Sequence, residues 1–375
     1  MARPKKTKEE KVAVTGPRSI LITGAAGYVG AMLADQFSQA PDLDQIIAID
    51  MNPMPEVLKD NKKIHWICSE LSTGDWQEEA AKSEPEVVIH CAWQIEELYD
   101  EENKQKMLNI GGSENVFDFA FSQPSVKKII HFSSISAYGA FDSNKKDNLL
   151  VEGDILKEDE YLYGIEKKEV ENILAKKYAE SDRGKTVVVL RPSTVIGPRA
   201  KYMSKKKGLF YAMNNIPIIP IANDDWGRQY VHEDDLTDLV AIFTFSKPTK
   251  GYEVFNITSN NVVSALEMAA IFKKETIGIV PLIVRIIFFF AWHISQGKFS
   301  TGKGAWKLLS YPLFVDGSKV TKKLGYNYTY SSKEALEKDE GRYDYAIPKK
   351  EEKIEEGTNN KDIKEEDIKV GKGIK

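Results

Sequence analysis

Residues 19–30, SILITGAAGYVG, hold the feature that most narrows what this chain folds into: an apolar run, glycines at 24, 27 and 30, then a helical stretch. The run reads as a strand and the glycines as a tight turn where another group can approach the backbone. The following YVGAMLADQFSQA reads as a helix. Downstream, QIIAID, KIHWIC, EVVIHCAW, KKIIHFSS and TVVVLRPSTVIG are further apolar strands, and SENVFDFAFS is helical. Near-continuous apolar strands alternating with helices predict a parallel sheet covered on both faces.

The glycine turn has a chemical reading. Free N–H groups at a helix N-terminus bind a pyrophosphate, and Gly24, Gly27 and Gly30 leave room for it. The spacing is GxxGxxG instead of GxGxxG, and glycine also serves ordinary tight turns. Asp50 ends the second strand twenty positions after Gly30. There a carboxylate accepts hydrogen bonds from an adenosine ribose and repels a 2′-phosphate, which favours NAD over NADP. The expected fold class is therefore α/β, a Rossmann-like doubly wound parallel sheet with a smaller C-terminal substrate-binding domain. The expected division is a flexible basic arm over 1–17 and an NAD-binding domain over 18–197. A mainly substrate-binding part follows over 198–346, with some segments returning to the sheet, and then a disordered charged tail over 347–375.

Composition sets limits. With 375 residues there is room for about two domains. The formal net charge of −4 gives no case for a nucleic-acid partner. Cys68 and Cys91 are the only cysteines and the five histidines lie far apart, so no metal site is expected. The basic start lacks an apolar core, so neither a secretory signal nor an anchor is expected, and the expected location is cytoplasmic. IVPLIVRIIFFFAWHI, residues 279–294, is strongly apolar but shorter than the roughly 20 residues of a spanning helix. A buried or dimer-packing helix is its first reading, and a peripheral membrane-surface helix is the alternative.

Tyr163 and Lys167 share a helix face at i and i+4, on a stripe that continues through Val170, Ile173 and Leu174. Alone, such a pair also fits a surface contact. Ser134 follows the fifth strand, at the end where such sheets line their ligand crevice; serine there also suits a plain turn.

Taken together, the three glycines, Asp50, FSSISAYG and YGIEK resemble the extended short-chain dehydrogenase/reductase family, also called NAD-dependent epimerases/dehydratases. NIGGSENV, LRPSTVIGP, GRQYVHEDDL and VFNITS add to the likeness, which runs from about residue 18 to 330. The resemblance implies an NAD-dependent enzyme with Ser134, Tyr163 and Lys167 catalytic. It implies cofactor contacts from Gly24, Gly27, Tyr28, Val29, Gly30 and Asp50. Further contacts are implied at Glu70, Leu71, Cys91, Ala92 and Asn109, and from Tyr163 and Lys167 themselves. A free tyrosine titrates near 10, so a cationic neighbour would help Tyr163 act as a base.

Ser136 and Arg228 are the expected substrate contacts. Arg228 matches a family arginine that meets a phosphate; the other reading is an ion pair with Asp224, Asp225 or Glu233. Ile135 and Ser136 stand where dehydratases of the family carry an acid pair, which argues against dehydration. Thr194 replaces an asparagine that grips the diphosphate in many epimerases, and no arginine appears in SYPLFVDGSKVTKKLGY. The expected reaction is hydride transfer between NAD and a secondary alcohol or ketone of small-molecule size, as in 3β-hydroxysteroid-dehydrogenase-like members. A nucleotide-sugar epimerase that holds its NAD is the alternative, and a non-catalytic NAD-binding sensor is the second. A homodimer would suit the family.

Overall fold

The central sheet is built from β1 (Ser19–Thr23), β2 (Gln45–Asp50), β3 (Ile64–Cys68), β4 (Val87–His90), β5 (Lys128–Phe132), β6 (Thr186–Pro192) and β7 (Gly251–Ile257). The computed structural model describes residues 16–203 and 217–346. The arm expected over 1–17 lies almost wholly outside the described residues, and the tail over 347–375 wholly outside them. The strands run parallel in the order β7-β6-β5-β4-β1-β2-β3.

Both faces of this sheet are covered, which is why its strands are apolar without alternation. The principal helices are α1 (Tyr28–Ser38), α2 (Gly112–Ser122), α3 (Leu162–Glu180), α4 (Glu233–Phe245) and α5 (Pro281–Ser295). Ile20 and Ile22 of β1 pack with Leu33 and Phe37 of α1 and with Leu236 and Phe243 of α4. Leu21, between them, faces the opposite core with Phe117 of α2 and Val170 and Leu174 of α3. Each such side chain, fully buried, contributes about 1.5–3 kcal/mol. A separate cluster of Ile219, Trp226, Tyr230, Val263 and Met268 forms beside the carboxyl ends of the strands.

The apolar segment departs from the buried half of its first reading. It folds as α5, but Val284 is its only buried residue. Leu282, Phe290 and Ile294 are 64%, 56% and 81% exposed. A core position is thus ruled out, because the helix lies along the outside with only one edge docked. Among the described residues no helix is long and apolar enough to cross a membrane.

Candidate functional site

Strand order reverses between β4 and β1, and there a doubly wound sheet opens a crevice at its carboxyl ends. The glycine turn lines it. Gly24 has φ +70°, and a Cβ on it would lie 2.6 Å from the backbone of Ala92. A Cβ on Gly30 would come within 2.2 Å of the Gly24 carbonyl oxygen, and one on Gly27 within 3.0 Å. No side chain caps the start of α1 and its first turn holds no acid, so its N–H groups stay available to an anion.

Asp50 stands at the end of β2 and accepts the Ala26 N–H at 3.0 Å and the Asn52 N–H at 2.9 Å. This fixes the carboxylate beside the turn. A backbone cradle that side chains would fill, an uncapped helix and a fixed acid together fit a dinucleotide.

The other expected cofactor contacts differ in how directly they face the crevice. Tyr28 donates its hydroxyl to Glu233 and so ties α1 to α4, while Val29 packs on the core. Glu70 accepts from the Ser72 hydroxyl, and Leu71 is buried among the α2-side residues. Cys91 and Ala92 follow β4 and donate their N–H groups to the Thr23 carbonyl and hydroxyl, both at 3.3 Å. Burial pushes the Cys91 thiol up. Cys68 and Cys91 are both free.

Asn109 sits in a π-helical turn, Met107–Gly111, where the extra residue redirects side chains. Its Oδ1 accepts from the Gln94 N–H at 2.7 Å, and its Nδ2 donates to the Gln94 carbonyl at 3.0 Å and to Glu166 at 2.8 Å. The amide therefore braces the loop after β4.

Ser134, Tyr163 and Lys167 come together at the ends of β5 and α3. Close approach of the two elements depends on Gly164, where a Cβ would lie 2.5 Å from the Ser136 carbonyl oxygen. The start of α3 is anchored by Glu158, whose buried Oε1 accepts the N–H groups of Asp159, Glu160 and Tyr161 at 2.9–3.0 Å. Lys307 neutralises it at 2.8 Å.

The Tyr163 phenol hydrogen-bonds with Ser134; burial raises its pKa and the serine works against that rise. Ser134 Oγ also accepts the N–H of the half-buried Ser136 at 3.1 Å. Lys167 does not bond the phenol, as its helical spacing from Tyr163 allowed. Its Nζ donates to the Phe132 carbonyl at 2.7 Å and lies 3.4 Å from the centre of the Trp93 ring. Burial pulls the ammonium down to about 7.

Arg228 makes none of the three ion pairs considered for it. Its NH2 donates to the Leu308 carbonyl at 3.2 Å, its Nε is buried without a partner, and among the described residues no carboxylate pairs with it. Burial lowers its pKa, opposed by the charges of Tyr230 and Tyr161. The Tyr161 ring, whose charge reaches Arg228, lies 5.8 Å from that of Tyr163. Sequence reasoning passed over Trp93, Glu158, Gly164 and Lys307. Only the tryptophan, directly after a strand at the crevice end, carried a local signal. Among the described residues no group of three or more His, Cys, Asp or Glu side chains is placed to hold a metal ion.

Comparison with known proteins adds the decisive observation: residues 20–258 match the model of the NAD dependent epimerase/dehydratase family. The chain belongs to that family. Among relatives of this epimerase/dehydratase-family protein is a UDP-glucose 4-epimerase of Vibrio cholerae, 27% identical over 263 residues, which cover 67% of this chain and 74% of that one. An uncharacterized protein of Methanocaldococcus jannaschii, MJ1055, is 25% identical over 68% of this chain and 80% of its own.

The fold is that of a UDP-glucose 4-epimerase of Thermotoga maritima solved with UDP-glucose, at TM-score 0.62 and 22% identity, covering 85% of this chain and 96% of that one. The Bordetella bronchiseptica enzyme WbmG, solved with NAD and UDP, gives TM-score 0.63 at 20% identity over 88% and 94%.

Proposed function

We propose that this family member binds NAD and inverts a hydroxyl-bearing carbon of a nucleotide sugar. Arg228 carries the substrate class. A half-buried guanidinium whose Nε is buried without a partner, and which no carboxylate pairs among the described residues, is costly, and a substrate diphosphate would relieve that cost with charge-assisted hydrogen bonds. Residues 279–294 give the contrary expectation, a steroid-like alcohol, no support, since most of their large side chains face solvent. The similarity to UDP-glucose 4-epimerases supports the same reading, although Thr194 leaves one grip on the diphosphate to other groups.

NAD, when bound, supplies the acceptor and donor of hydride. The glycine turn and the start of α1 would hold its pyrophosphate, and Asp50 its ribose. Tyr163 takes the proton of the reacting hydroxyl and later returns it. Ser134, already bonded to the phenol, holds the oxygen as its bond order changes. Lys167, fixed by the Phe132 carbonyl and the Trp93 ring with its Nζ 5.8 Å from the centre of the Tyr163 ring, would hold the second ribose. Ile135 and Ser136 offer no acid pair for loss of water, so the sugar is re-reduced instead of dehydrated.

The test is incubation of the purified protein with a panel of UDP- and dTDP-sugars without added NAD, the products being resolved by chromatography. Conversion of one sugar to its epimer is expected. Steady growth of NADH absorbance on a hydrophobic secondary alcohol once NAD is supplied, with every nucleotide sugar unchanged in the first incubation, overturns the reading.

A further inference from the structure

The outward side of α5 is apolar like an interior. Leu282, Ile283, Ile286, Ile287, Phe290 and Ile294 are all exposed, and the patch continues through Val280 before the helix and Phe299 after it. A helix that is apolar all round belongs in a core or in lipid. With 15 residues α5 is about 22 Å long, short of the roughly 30 Å hydrocarbon layer, so it suits lying in the plane of an interface.

Charge selects the occupant. Between residues 273 and 303 the chain carries Lys273, Lys274, Arg285, Lys298 and Lys303 against the single acid Glu275, although the whole chain is net −4. Lys273, eight positions before α5, and Lys298, three positions after it, are both exposed. Arg285 is paired with Glu160 and Lys303 lies beside Glu97, but a second copy docked on this face would set Lys273 and Lys298 against like charges, whereas an anionic surface attracts both.

We propose that α5 lies in the headgroup region of an anionic lipid bilayer, with its apolar face inserted and Lys273 and Lys298 on lipid phosphates. The crevice would then open beside the membrane. Arg285 pairs with Glu160 at 3.2 Å, and Trp292 packs on Tyr99 with ring centres 5.5 Å apart, which ties the helix to the loops around Tyr161 and after Trp93. This inference does not depend on the nucleotide-sugar reading.

The test is co-sedimentation of the full chain with phosphatidylcholine vesicles and with vesicles in which part of that lipid is phosphatidylglycerol. Binding to the anionic vesicles is expected, weakening as salt is raised. A Lys273→Glu/Lys298→Glu variant, which leaves packing untouched, should bind about ten-fold or more weakly. An Ile286→Asn/Phe290→Asn variant should lose binding at an unchanged melting temperature. Protein that stays in the supernatant with both vesicle types overturns the proposal. A concentration-dependent dimer that the asparagine variant abolishes, without vesicle binding, assigns the face to a second copy and overturns it too.

Discussion

Lys167 reaches from α3 to the last residue of β5, its Nζ donating to the Phe132 carbonyl at 2.7 Å, while Tyr163 one turn earlier bonds Ser134. The ammonium is thus fixed by the strand end and not by the phenol. Burial lowers its pKa from 10.5 to about 7. Between those values the unfolded chain holds a proton that the folded chain has released, so this group makes stability rise with pH across that window. Thermal melts of the cofactor-free protein should show Lys167→Met ahead of wild type at about pH 6, with the lead shrinking toward about pH 10. A difference constant with pH would mean that the ammonium is solvated.

Tyr163→Phe removes one oxygen and keeps the ring, which packs edge-on against Trp93 at 6.2 Å and near Tyr161. The variant should fold like wild type by circular dichroism, since the only hydrogen bond lost is the one to Ser134. Its kcat should fall about 10²–10⁴-fold, the usual contribution of a positioned acid–base group. Turnover equal to wild type would remove the phenol from the chemistry.

How much of this could be read beforehand follows from how local each determinant is. The glycine turn was legible because its constraint lies within a few residues: a Cβ at 30 meets the carbonyl of 24. The strands could be read from their near-continuous apolar runs, and the stripe on α3 from its helical spacing. The anchor of α3 could not, because Lys307 meets Glu158 across 149 positions and only the folded chain brings them together. Trp93 carried a local signal in its place just past β4, but the lysine that lies over it comes from α3 far along the chain. For α5, hydropathy gave the helix but not the side it would turn outward. Arg228 was named from a motif, and only the structure left it without a carboxylate.

Gly30→Ala should damage the cofactor cradle. The added methyl would sit 2.2 Å from a backbone oxygen, with no flexible side chain to move aside. Overpacking of this kind costs roughly 1–3 kcal/mol, and here it must also displace the turn that receives the pyrophosphate. NAD binding, followed by calorimetry, should fall below detection. Gly153→Ala, with nothing within 4 Å of its Cβ, is the control and should bind like wild type. Equal binding by both variants would place the cofactor elsewhere.

Arg228→Leu separates an anion site from a structural arginine. A structural cation would leave a hole in the hydrogen bonding when removed. Here the Leu308 carbonyl keeps the Trp226 indole N–H at 2.8 Å, so losing Arg228 strands no acceptor. An apolar side chain in place of a half-buried cation lacking a carboxylate should leave the melting temperature unchanged or raise it. The loss should appear in substrate binding instead. Hydrogen bonds to charged groups contribute about 1.5–3 kcal/mol, which converts to a KM for the nucleotide sugar roughly ten- to hundred-fold higher with kcat nearly unchanged. A protein that melts several degrees lower while KM stays put would assign Arg228 to the scaffold, and the case for an anionic substrate would lose its footing.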